Sequence, residues 1–573
     1  MARRPAGAVI AIALILCGAA AVTVPAASSV AAGAPRAPAA RSPFCRYLGV
    51  RYQASAAARL ACFGPRRTGP ATVRPVGAAG YGLDRPLNVN AASPAEDVTP
   101  SGVRAYGQSE VSVAASGRYV VEAWNDSTGF ISPCPSPMNK EERIGFGFSA
   151  NGGRSFTDLG GLPNAHCHTD IYLGDPSVAA YQAGGRTYFY ISGLYAARSF
   201  KGITHIAMAA CAVAGGGGAA ALRCGQPVIV ASSSSCSSHG KFCDFLDKDY
   251  LAVDQARGRL YASYADAGAG FSIDLAVCDL GTRAGGPGPL GGTPAAPVCE
   301  NGAKGTTAPS YFTVAPADTT GCENEGAYPA VDTATGAVYV GYEFNWFSNG
   351  QPGPCSTKPT ADIVTKVPLR CLPLAPVSPC RGPTARAAVP VTSMDQLSVA
   401  GNGMLNDFPR VAVSVPAGTV SMVWNDARDH PLGDIMLRSF GLHSLAPVQP
   451  RPVVLNTGTG GYHFYPAVRT ATSTGRLDVS WYATRAPASL DFGVAAALGV
   501  SPRQARPPRS NVRVTTVTWN AANVVSMNGV FGDYTDNALV ATGAPPYVGR
   551  TLFVAWSDGR LGVAQPFVAR LRG

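Results

Sequence analysis

Charged side chains are scarce in this sequence, and the signals of long helices are missing from most of it. Asp, Glu, Lys and Arg make up 14% of the 573 residues, and no sustained helical periodicity follows the first turns of the chain. Gly (66 residues) and Pro (47 residues) instead punctuate short runs rich in Val, Thr and aromatic side chains. This pattern predicts an all-β protein.

Long hydrophobic runs are also lacking, apart from the stretch Ala8 to Val24 that follows two arginines. That stretch is short for a bilayer span and has the flanks of a secretory signal, so residues 1–32 are expected to be the signal peptide of a secreted, extracellular protein. Leu16 precedes Cys17 where a lipid-anchoring motif has a small residue, which argues against a lipid anchor. We expect no membrane span in the mature chain.

Several catalytic and metal-binding signatures are absent. The sequence has no CxxC pair and no GxSxG, and no Lys-Ser/Thr follows the glycine run Gly215 to Gly218. These absences argue against a zinc–thiolate site, a serine esterase and a phosphate-binding loop. His166 and His168 flank Cys167 and could bind a metal together with Asp170, but a disulfide-held loop explains them more simply.

Fourteen of the 15 cysteines remain once Cys17 leaves with the signal peptide. An even number in an exported protein is typical of structural disulfides. Spacing alone does not determine connectivity, but neighbouring cysteines form pairs that would each hold one hairpin or loop. The expected pairs are Cys45–Cys62, Cys134–Cys167, Cys211–Cys224, Cys236–Cys243, Cys278–Cys299, Cys322–Cys355 and Cys371–Cys380.

The net charge of +11 is concentrated at the N-terminus. Met1 to Arg85 contain eleven Arg and one Asp, a balance of +10, so the remaining chain carries only +1. This distribution argues against a nucleic-acid groove. Residues 33–84 are expected to form a basic, Ala/Pro-rich leader with a small Cys45/Cys62 segment, either a plain linker or an arm that lies against an anionic cell surface.

One motif recurs seven times: an apolar strand, a turn with Gly, and a second apolar strand that mostly ends in an aromatic residue. The second strands lie at 117–124, 185–192, 258–264, 336–342, 418–424, 475–481 and 549–556. Two further strands lie between successive copies, as at 434–440 and 451–456. A four-stranded repeat can bury its faces only against neighbours, so residues 85–573 are predicted to form a β-propeller of seven four-stranded blades, with six blades as the alternative.

The last repeat supplies only three strands. The segment Arg85 to Asn90 is similar to Arg451 to Asn456 and precedes the first repeat, so it is predicted to be the missing fourth strand. Pairing the two ends of the chain closes the ring and removes exposed sheet edges. A solenoid is disfavoured because the sequence offers no polar capping repeats.

Polar residues collect where the first strands begin and the second strands end, which is one face of the predicted propeller. A ring of carboxylates there can bind Ca²⁺ or supply the acid groups of glycoside cleavage. Turn formation by Asp and Asn is the alternative explanation for each of them. The candidate calcium ligands are Asp247, Asp249, Asp407 and Asp533.

The segment Ser149 to Phe156 reads Ser-Ala-Asn-Gly-Gly-Arg-Ser-Phe and falls between the third and fourth strands of the first blade. It is similar to the Asp-box turn Ser-x-Asp-x-Gly-x-x-Trp, with Asn151 replacing the Asp and Phe156 the Trp. Together with the seven repeats and the endings Trp-Asn-Asp and Trp-Ser-Asp-Gly-Arg, residues 85–573 resemble the sialidase-like (BNR-repeat) secreted propellers. In that family the boxes are structural and lie away from the active site.

The resemblance implies an exo-acting sialidase chemistry. Three arginines hold the substrate carboxylate, a Tyr activated by a Glu is the nucleophile, and an Asp is the acid/base. The family's Phe-Arg-Ile-Pro motif is absent here, so a different set is assigned. The candidate substrate-binding residues are Arg428, Arg485 and Arg560, and the candidate catalytic residues are Tyr534 as nucleophile, Glu343 or Glu325 as its base, and Asp175 as acid.

Two functions from different classes remain open at this point. The chain is either a glycoside hydrolase on sialylated or similar acidic glycans, or a non-catalytic propeller that binds a glycan or protein ligand at a cell surface. In the second case Arg428 and Arg560 would pair with the neighbouring Asp426 and Asp558 as part of the repeat. No cofactor is expected other than Ca²⁺, and the oligomeric state is not encoded in any motif.

Overall fold

The computed structural model describes residues 73–75, 86–94, 107–127, 143–198, 204–215, 221–233, 245–267, 269–299, 311–317, 322–345, 359–372, 385–394, 399, 405–458, 460–486, 489–504, 506–524, 526, 530–542 and 549–572. Within these ranges the regular structure is β, apart from two single 3₁₀ turns at Leu369–Cys371 and Ala521–Asn523. No helix in the same ranges is long and apolar enough to cross a membrane.

Seven antiparallel sheets follow one another along the chain, as the repeats predict. Blade 1 contains β3 (Ser109–Ser116), β4 (Tyr119–Asn125), β5 (Ile144–Ser149) and β6 (Thr157–Gly161). Blade 2 contains β7 (Asp170–Ala183), β8 (Arg186–Ala197), β9 (His205–Ala214), β10 (Ala221–Cys224) and β11 (Val228–Ser232), and blade 3 contains β12 (Leu246–Asp254), β13 (Arg259–Asp266), β14 (Ser272–Asp279), β15 (Val298–Cys299) and β16 (Tyr311–Ala315). Blade 4 contains β17 (Asn324–Val331), β18 (Val338–Phe344), β19 (Ala361–Val367) and β20 (Ala385–Pro390).

The remaining three blades have the same order. Blade 5 contains β21 (Arg410–Ser414), β22 (Thr419–Asp426), β23 (Asp434–Gly441) and β24 (Val453–Val454). Blade 6 contains β25 (His463–Thr470), β26 (Leu477–Ala483), β27 (Asp491–Val500), β28 (Val512–Arg513), β29 (Val517–Asn520) and the N-terminal β1 (Val73–Pro75). Blade 7 contains β30 (Asp536–Thr542), β31 (Gly549–Asp558), β32 (Gln565–Arg572) and β2 (Leu87–Asn90).

The ring closes through the first strand of each blade, the inner strand. Each inner strand contacts the inner strand of the next blade, and β30 of the seventh blade contacts β3 of the first. Strand β2 pairs antiparallel with β32, from Leu87 opposite Arg570 to Asn90 opposite Phe567. The predicted closing strand and the seven-blade count are therefore confirmed, and the six-blade alternative is wrong.

Aromatic residues near the ends of the second strands fill the spaces between blades. Trp124, Trp424, Trp481 and Trp556 are almost fully buried, because each lies where two sheets face each other. The indole N–H groups of Trp424 and Trp556 donate to the carboxylates two residues later, Asp426 at 2.9 Å and Asp558 at 2.7 Å. In these two repeats the Trp-x-Asp ending thus buries a large ring and satisfies its one polar atom.

Two of the expected disulfides lie within the described residues and have the predicted sequential pairing. Cys211–Cys224 joins β9 to β10, and Cys278–Cys299 joins β14 to β15. Each links the third strand of a blade to its outermost strand, so it holds the edge of the blade in place. The other predicted pairs include cysteines outside the described residues.

Candidate functional site

The inner strands of five blades begin with the same irregularity, a shift in their pairing with the second strand. A residue inside each shift has a positive φ, which L-amino acids other than Gly rarely adopt. These residues are Glu110 (φ 54°), Asp175 (56°), Lys248 (53°), Gly326 (68°) and Tyr465 (51°). Such backbone strain costs about 1–3 kcal/mol per non-glycine residue and concentrates at functional sites.

Three of these strained residues meet at the axis of the propeller. The Lys248 Nζ atom lies 3.3 Å from Asp175 Oδ2 and 2.6 Å from Asp533 Oδ2. The third and seventh blades are not neighbours in the ring, so the contact between Lys248 and Asp533 crosses the central channel. The axial cluster is defined here as Glu110, Asp175, Asp247, Lys248, Glu325 and Asp533, all at most 5% exposed.

Burial and charge shift the titration of the axial cluster in a consistent way. Burial lowers the pKa of Lys248, but the charges of Asp175, Asp533 and other carboxylates outweigh burial and raise it well above its usual value. Burial is the largest cause that raises the pKa of Glu110 and Glu325 well above the usual value, and it raises the pKa of Asp247 to about 7. The cluster therefore combines a lysine whose pKa is raised with three carboxyl groups, Glu110, Asp247 and Glu325, whose pKa values are raised as well.

Some carboxylate oxygens around the cluster have no hydrogen-bond partner among the described residues. They are Glu110 Oε1, Asp175 Oδ1, Asp249 Oδ1 and Glu325 Oε1. Buried polar atoms are normally hydrogen-bonded, so these oxygens can receive the hydroxyl or ammonium groups of a ligand. The backbone around them is fixed by Asn125, whose side chain donates to Glu110 and accepts from the Asp175 N–H at 2.7 Å.

A cage of tyrosines lies next to the axial cluster in the channel. The Arg410 guanidinium is 4.2 Å from the ring centroid of Tyr250, 4.8 Å from that of Tyr328 and 5.5 Å from that of Tyr534. Arg410 also donates to the Tyr250 hydroxyl at 2.8 Å. These residues come from the third, fourth, fifth and seventh blades, so cation–π contacts link strands across the axis.

The candidate catalytic residues lie around this cluster and cage. Tyr534 is 2% exposed, and its hydroxyl donates to the Pro176 carbonyl at 3.1 Å. Burial, followed by the Asp175 and Glu110 charges, raises the Tyr534 pKa well above its usual value. Glu325 lies directly opposite Glu343 across β17 and β18, and both are fully buried.

The candidate substrate-binding arginines have separate surroundings. Arg428 contacts Asp426 at 2.5 Å, and Arg560 contacts Asp558 at 2.7 Å, which are the two ion pairs of the alternative interpretation. The Arg560 guanidinium also lies 4.4 Å from the ring centroid of Phe567. Arg485 is exposed in the turn after β26.

The candidate calcium ligands are likewise engaged with protein groups. Asp249 accepts from the Ser192 hydroxyl at 2.5 Å, and Asp407 accepts from the Asn425 amide at 2.6 Å. Asp247 and Asp533 belong to the axial cluster, whose cation is the Lys248 ammonium. Within the described ranges, no group of three or more His, Cys, Asp or Glu residues is arranged to hold a metal ion.

The segment Ser149 to Phe156 forms a tight turn between β5 and β6, on the face opposite the axial cluster. The Ser149 hydroxyl accepts from the Gly153 N–H at 2.9 Å, and Asn151 Oδ1 accepts from the Arg154 and Ser155 N–H groups at 3.0 Å each. Asn151 thus holds the turn through its side-chain carbonyl, a role that an aspartate oxygen can also perform.

The central lysine and the arginine of the cage were missed by sequence reasoning. Lys248 lies between two aspartates at the start of an inner strand, and Arg410 follows Asp-Phe-Pro at the start of another. An alignment of the repeats by position would have placed Glu110, Asp175 and Lys248 at one level. It would not have revealed that Lys248 reaches the opposite side of the ring.

No protein-family model matches the chain, and no curated protein matches it. Similar solved structures include a protein of unknown function from Dyadobacter fermentans (10% identity, TM-score 0.36, covering 85% of this chain and 98% of that one). A sialidase from Trypanosoma rangeli (7%, 0.32, 87% and 58%) and an endo-arabinase from Bacteroides thetaiotaomicron (13%, 0.27, 56% and 91%) are also similar. At these identities and scores, the similarities carry no information about function.

Proposed function

We propose that the chain is an exo-acting glycoside hydrolase whose acid and base groups lie in the axial cluster. The observation that supports this proposal is that carboxyl groups with different surroundings lie close together at one end of the channel, some shifted by burial and others in contact with an ammonium group. Burial raises the pKa of Glu110 well above its usual value, whereas Asp175 and Asp533 contact the Lys248 ammonium directly. Glycoside cleavage requires one carboxylic acid to protonate the leaving oxygen and one carboxylate to act as base or nucleophile.

Backbone strain supports the same assignment. Glu110, Asp175 and Lys248 all have the left-handed conformation at equivalent positions of adjacent blades. A purely structural role could be filled by Gly, as Gly326 shows in the fourth blade. Retaining three charged side chains at strained positions is consistent with a functional requirement for those groups.

The charge of the cluster favours an uncharged sugar at the axis. Five carboxyl groups surround one ammonium, so an anionic sugar would be repelled unless arginines bind its carboxylate. Arg428 and Arg560 form ion pairs with carboxylates of their own blades, which leaves Arg485 as the candidate that has no ion pair among the described residues. We therefore propose neutral terminal sugars as substrates, with sialylated or other acidic glycans as the alternative.

The proposal is tested by assaying the purified protein against fluorogenic glycosides of neutral sugars and of sialic acid. Glu110→Gln is expected to lower kcat at least about 100-fold, because it removes a general acid. Glu122→Gln is the matched control, since Glu122 is also fully buried with a pKa raised by burial but lies in the middle of β4. Turnover that survives Glu110→Gln unchanged would exclude Glu110 as the acid.

Two further variants separate the substrate classes. If sialosides are the substrates, Arg485→Ala and Tyr534→Phe should abolish turnover, whereas hydrolysis of neutral glycosides through the carboxyl groups should survive both changes. A protein that hydrolyses none of the panel is not an exo-acting glycosidase.

A non-catalytic glycan-binding propeller is the second candidate. It is favoured by the Tyr534 hydroxyl, whose hydrogen bond to Pro176 and raised pKa make it a poor nucleophile. In this case a glycan array should detect binding without turnover. Asp175→Asn should weaken that binding, and Glu122→Gln should leave it unchanged.

A further inference from the structure

On the face of the propeller opposite the axial cluster, the exposed charges of the described residues have one sign, which is positive. This opposite face is formed by the turns between first and second strands and between third and fourth strands. In the described part of these turns and the adjoining strand ends, every exposed charged side chain is an arginine. These residues are Arg118, Arg154, Arg186, Arg223, Arg283, Arg370, Arg386, Arg451, Arg476, Arg503, Arg506, Arg509 and Arg572.

The carboxylates of the same face are buried inside its turns. Asp254, Asp279, Asp332 and Asp478 are at most 3% exposed. Asp254 and Asp332 accept backbone N–H groups of their own turns, Asp279 accepts those of Leu290 and Gly292, and Asp478 pairs with the half-buried Arg550. These carboxylates therefore bind turn backbone or the half-buried Arg257 and Arg550, and in the described part of the chain none of them forms an ion pair with an exposed arginine of this face.

The arginines are spread over the face rather than gathered in a groove. They come from all seven blades. A linear polyanion follows a groove and would contact only a few of them at once, whereas a planar anionic surface can contact all of them. The guanidinium group also pairs with phosphate in bidentate fashion.

Exposed apolar side chains occur on the same face. Leu87, Val298 and Val415 are 49%, 39% and 41% exposed, and each lies at an end of a strand on this face. Apolar side chains within a basic surface are typical of proteins that bind at the headgroup region of a membrane. Strand β2 also begins at this face, where Leu87 lies opposite Arg570.

We propose that the opposite face docks on an anionic phospholipid bilayer. Docking in this orientation directs the axial cluster away from the membrane, where it can meet ligands from solution. The surface contact is electrostatic, so it should be strong at low salt and weaken steeply as ionic strength rises. This proposal does not depend on whether the axial cluster is catalytic.

The test measures sedimentation of the full chain with vesicles of phosphatidylcholine alone and with 30% phosphatidylglycerol. Binding is expected only to the anionic vesicles, and we expect the quadruple variant Arg186→Gln/Arg223→Gln/Arg386→Gln/Arg572→Gln to weaken it about 100-fold or more, since each surface arginine contributes about fivefold. The control is Arg485→Gln, which lies on the same face as the axial cluster and should change vesicle binding less than about twofold. Circular dichroism of each variant checks folding.

Protection from arginine modification gives a second measurement that does not depend on a variant. On anionic vesicles, phenylglyoxal should label Arg186 and Arg572 more slowly than in solution, whereas the labelling of Arg485 should not change. Equal binding to both vesicle types, or unchanged binding of the quadruple variant, would overturn the proposal. Binding to soluble polyphosphate without binding to vesicles would also overturn it and would identify a polymeric anion as the partner.

Discussion

Lys248→Met is expected to destabilise the propeller strongly, and in a pH-dependent way. The Lys248 side chain is 1% exposed and contacts two buried carboxylates, Asp175 and Asp533. Removing one partner of a buried charge pair leaves an uncompensated charge and costs about 3–5 kcal/mol. Because a folded protein is stabilised by only about 5–15 kcal/mol, this loss is a large fraction of the free energy of unfolding.

The sign of the pH dependence follows from the neighbouring carboxyl groups. The Lys248 ammonium lowers the pKa of Glu110, Asp247 and Glu325, against the larger effect of burial that raises it. Without the ammonium these pKa values rise further, so the folded variant binds protons that the unfolded chain releases at neutral pH. The stability of Lys248→Met should therefore fall more steeply with rising pH than that of the native chain.

Urea unfolding at pH 5 and pH 8 measures both effects. Lys248→Met should lose about 3–5 kcal/mol at pH 8 and clearly less at pH 5. Lys366→Met is the control: Lys366 is partly exposed and donates to the Leu442 carbonyl, so a loss of about 1 kcal/mol or less is expected. A loss below about 1 kcal/mol at pH 8 for Lys248→Met, or the same loss at both pH values, would refute the assignment of Lys248 as the neutralising cation.

Three further changes test the packing of the blades. Burial raises the pKa of Asp274 to about 7, so ionisation of this carboxyl destabilises the fold by roughly 4 kcal/mol as the pH rises from about 4 through 7. Asp274→Asn should remove this dependence, so the free energy of unfolding measured with urea should change less over that pH range. Cys211→Ser/Cys224→Ser opens a loop of about 13 residues and should cost about 2–4 kcal/mol by the same measurement, whereas an unchanged midpoint would mean the bond contributes little. Asn425→Ala removes side-chain bonds that join the fifth and sixth blades and should lower the melting temperature by several degrees, and no change would contradict that bridging role.

The blades could be predicted from the sequence because their signals are local. A Gly turn followed by an apolar strand with an aromatic end defines the second strand in each repeat, and the structure has β-strands at all seven places. The closing strand could be predicted because Arg85 to Asn90 is similar to an outer strand elsewhere in the chain. These features depend on neighbouring residues and on one repeated pattern, and both are visible in a single sequence.

The contacts across the channel could not be predicted in the same way. Lys248 and Asp533 are 285 residues apart, and Arg410 and Tyr250 are 160 apart. Which side chains meet at the axis depends on their height along the inner strands and on the direction set by the pairing shifts. Neither quantity follows from the composition or spacing of the repeats. The candidate set Arg428, Arg485 and Arg560 rests on equivalent strand ends, which carry no information about the distance to Tyr534.

The two ends of the inner strands meet different physical demands. At the mouth, the end of the channel that holds the axial cluster, left-handed residues such as Asp175 and Lys248 combine strained backbone with buried charge. The strain and the buried charge each lower the stability of the fold. At the opposite face, the turns use Gly and buried Asp to satisfy the backbone, as in the turn after β17 where Asp332 accepts from the Ala334 N–H at 3.0 Å. The buried tryptophans and the strand pairing of all seven blades must offset this loss of folding stability. Charged left-handed residues are grouped at the mouth, whereas the buried carboxylates of the opposite face accept backbone N–H groups of its turns, so we attribute the strained charged residues of the mouth to what it binds rather than to what the fold requires.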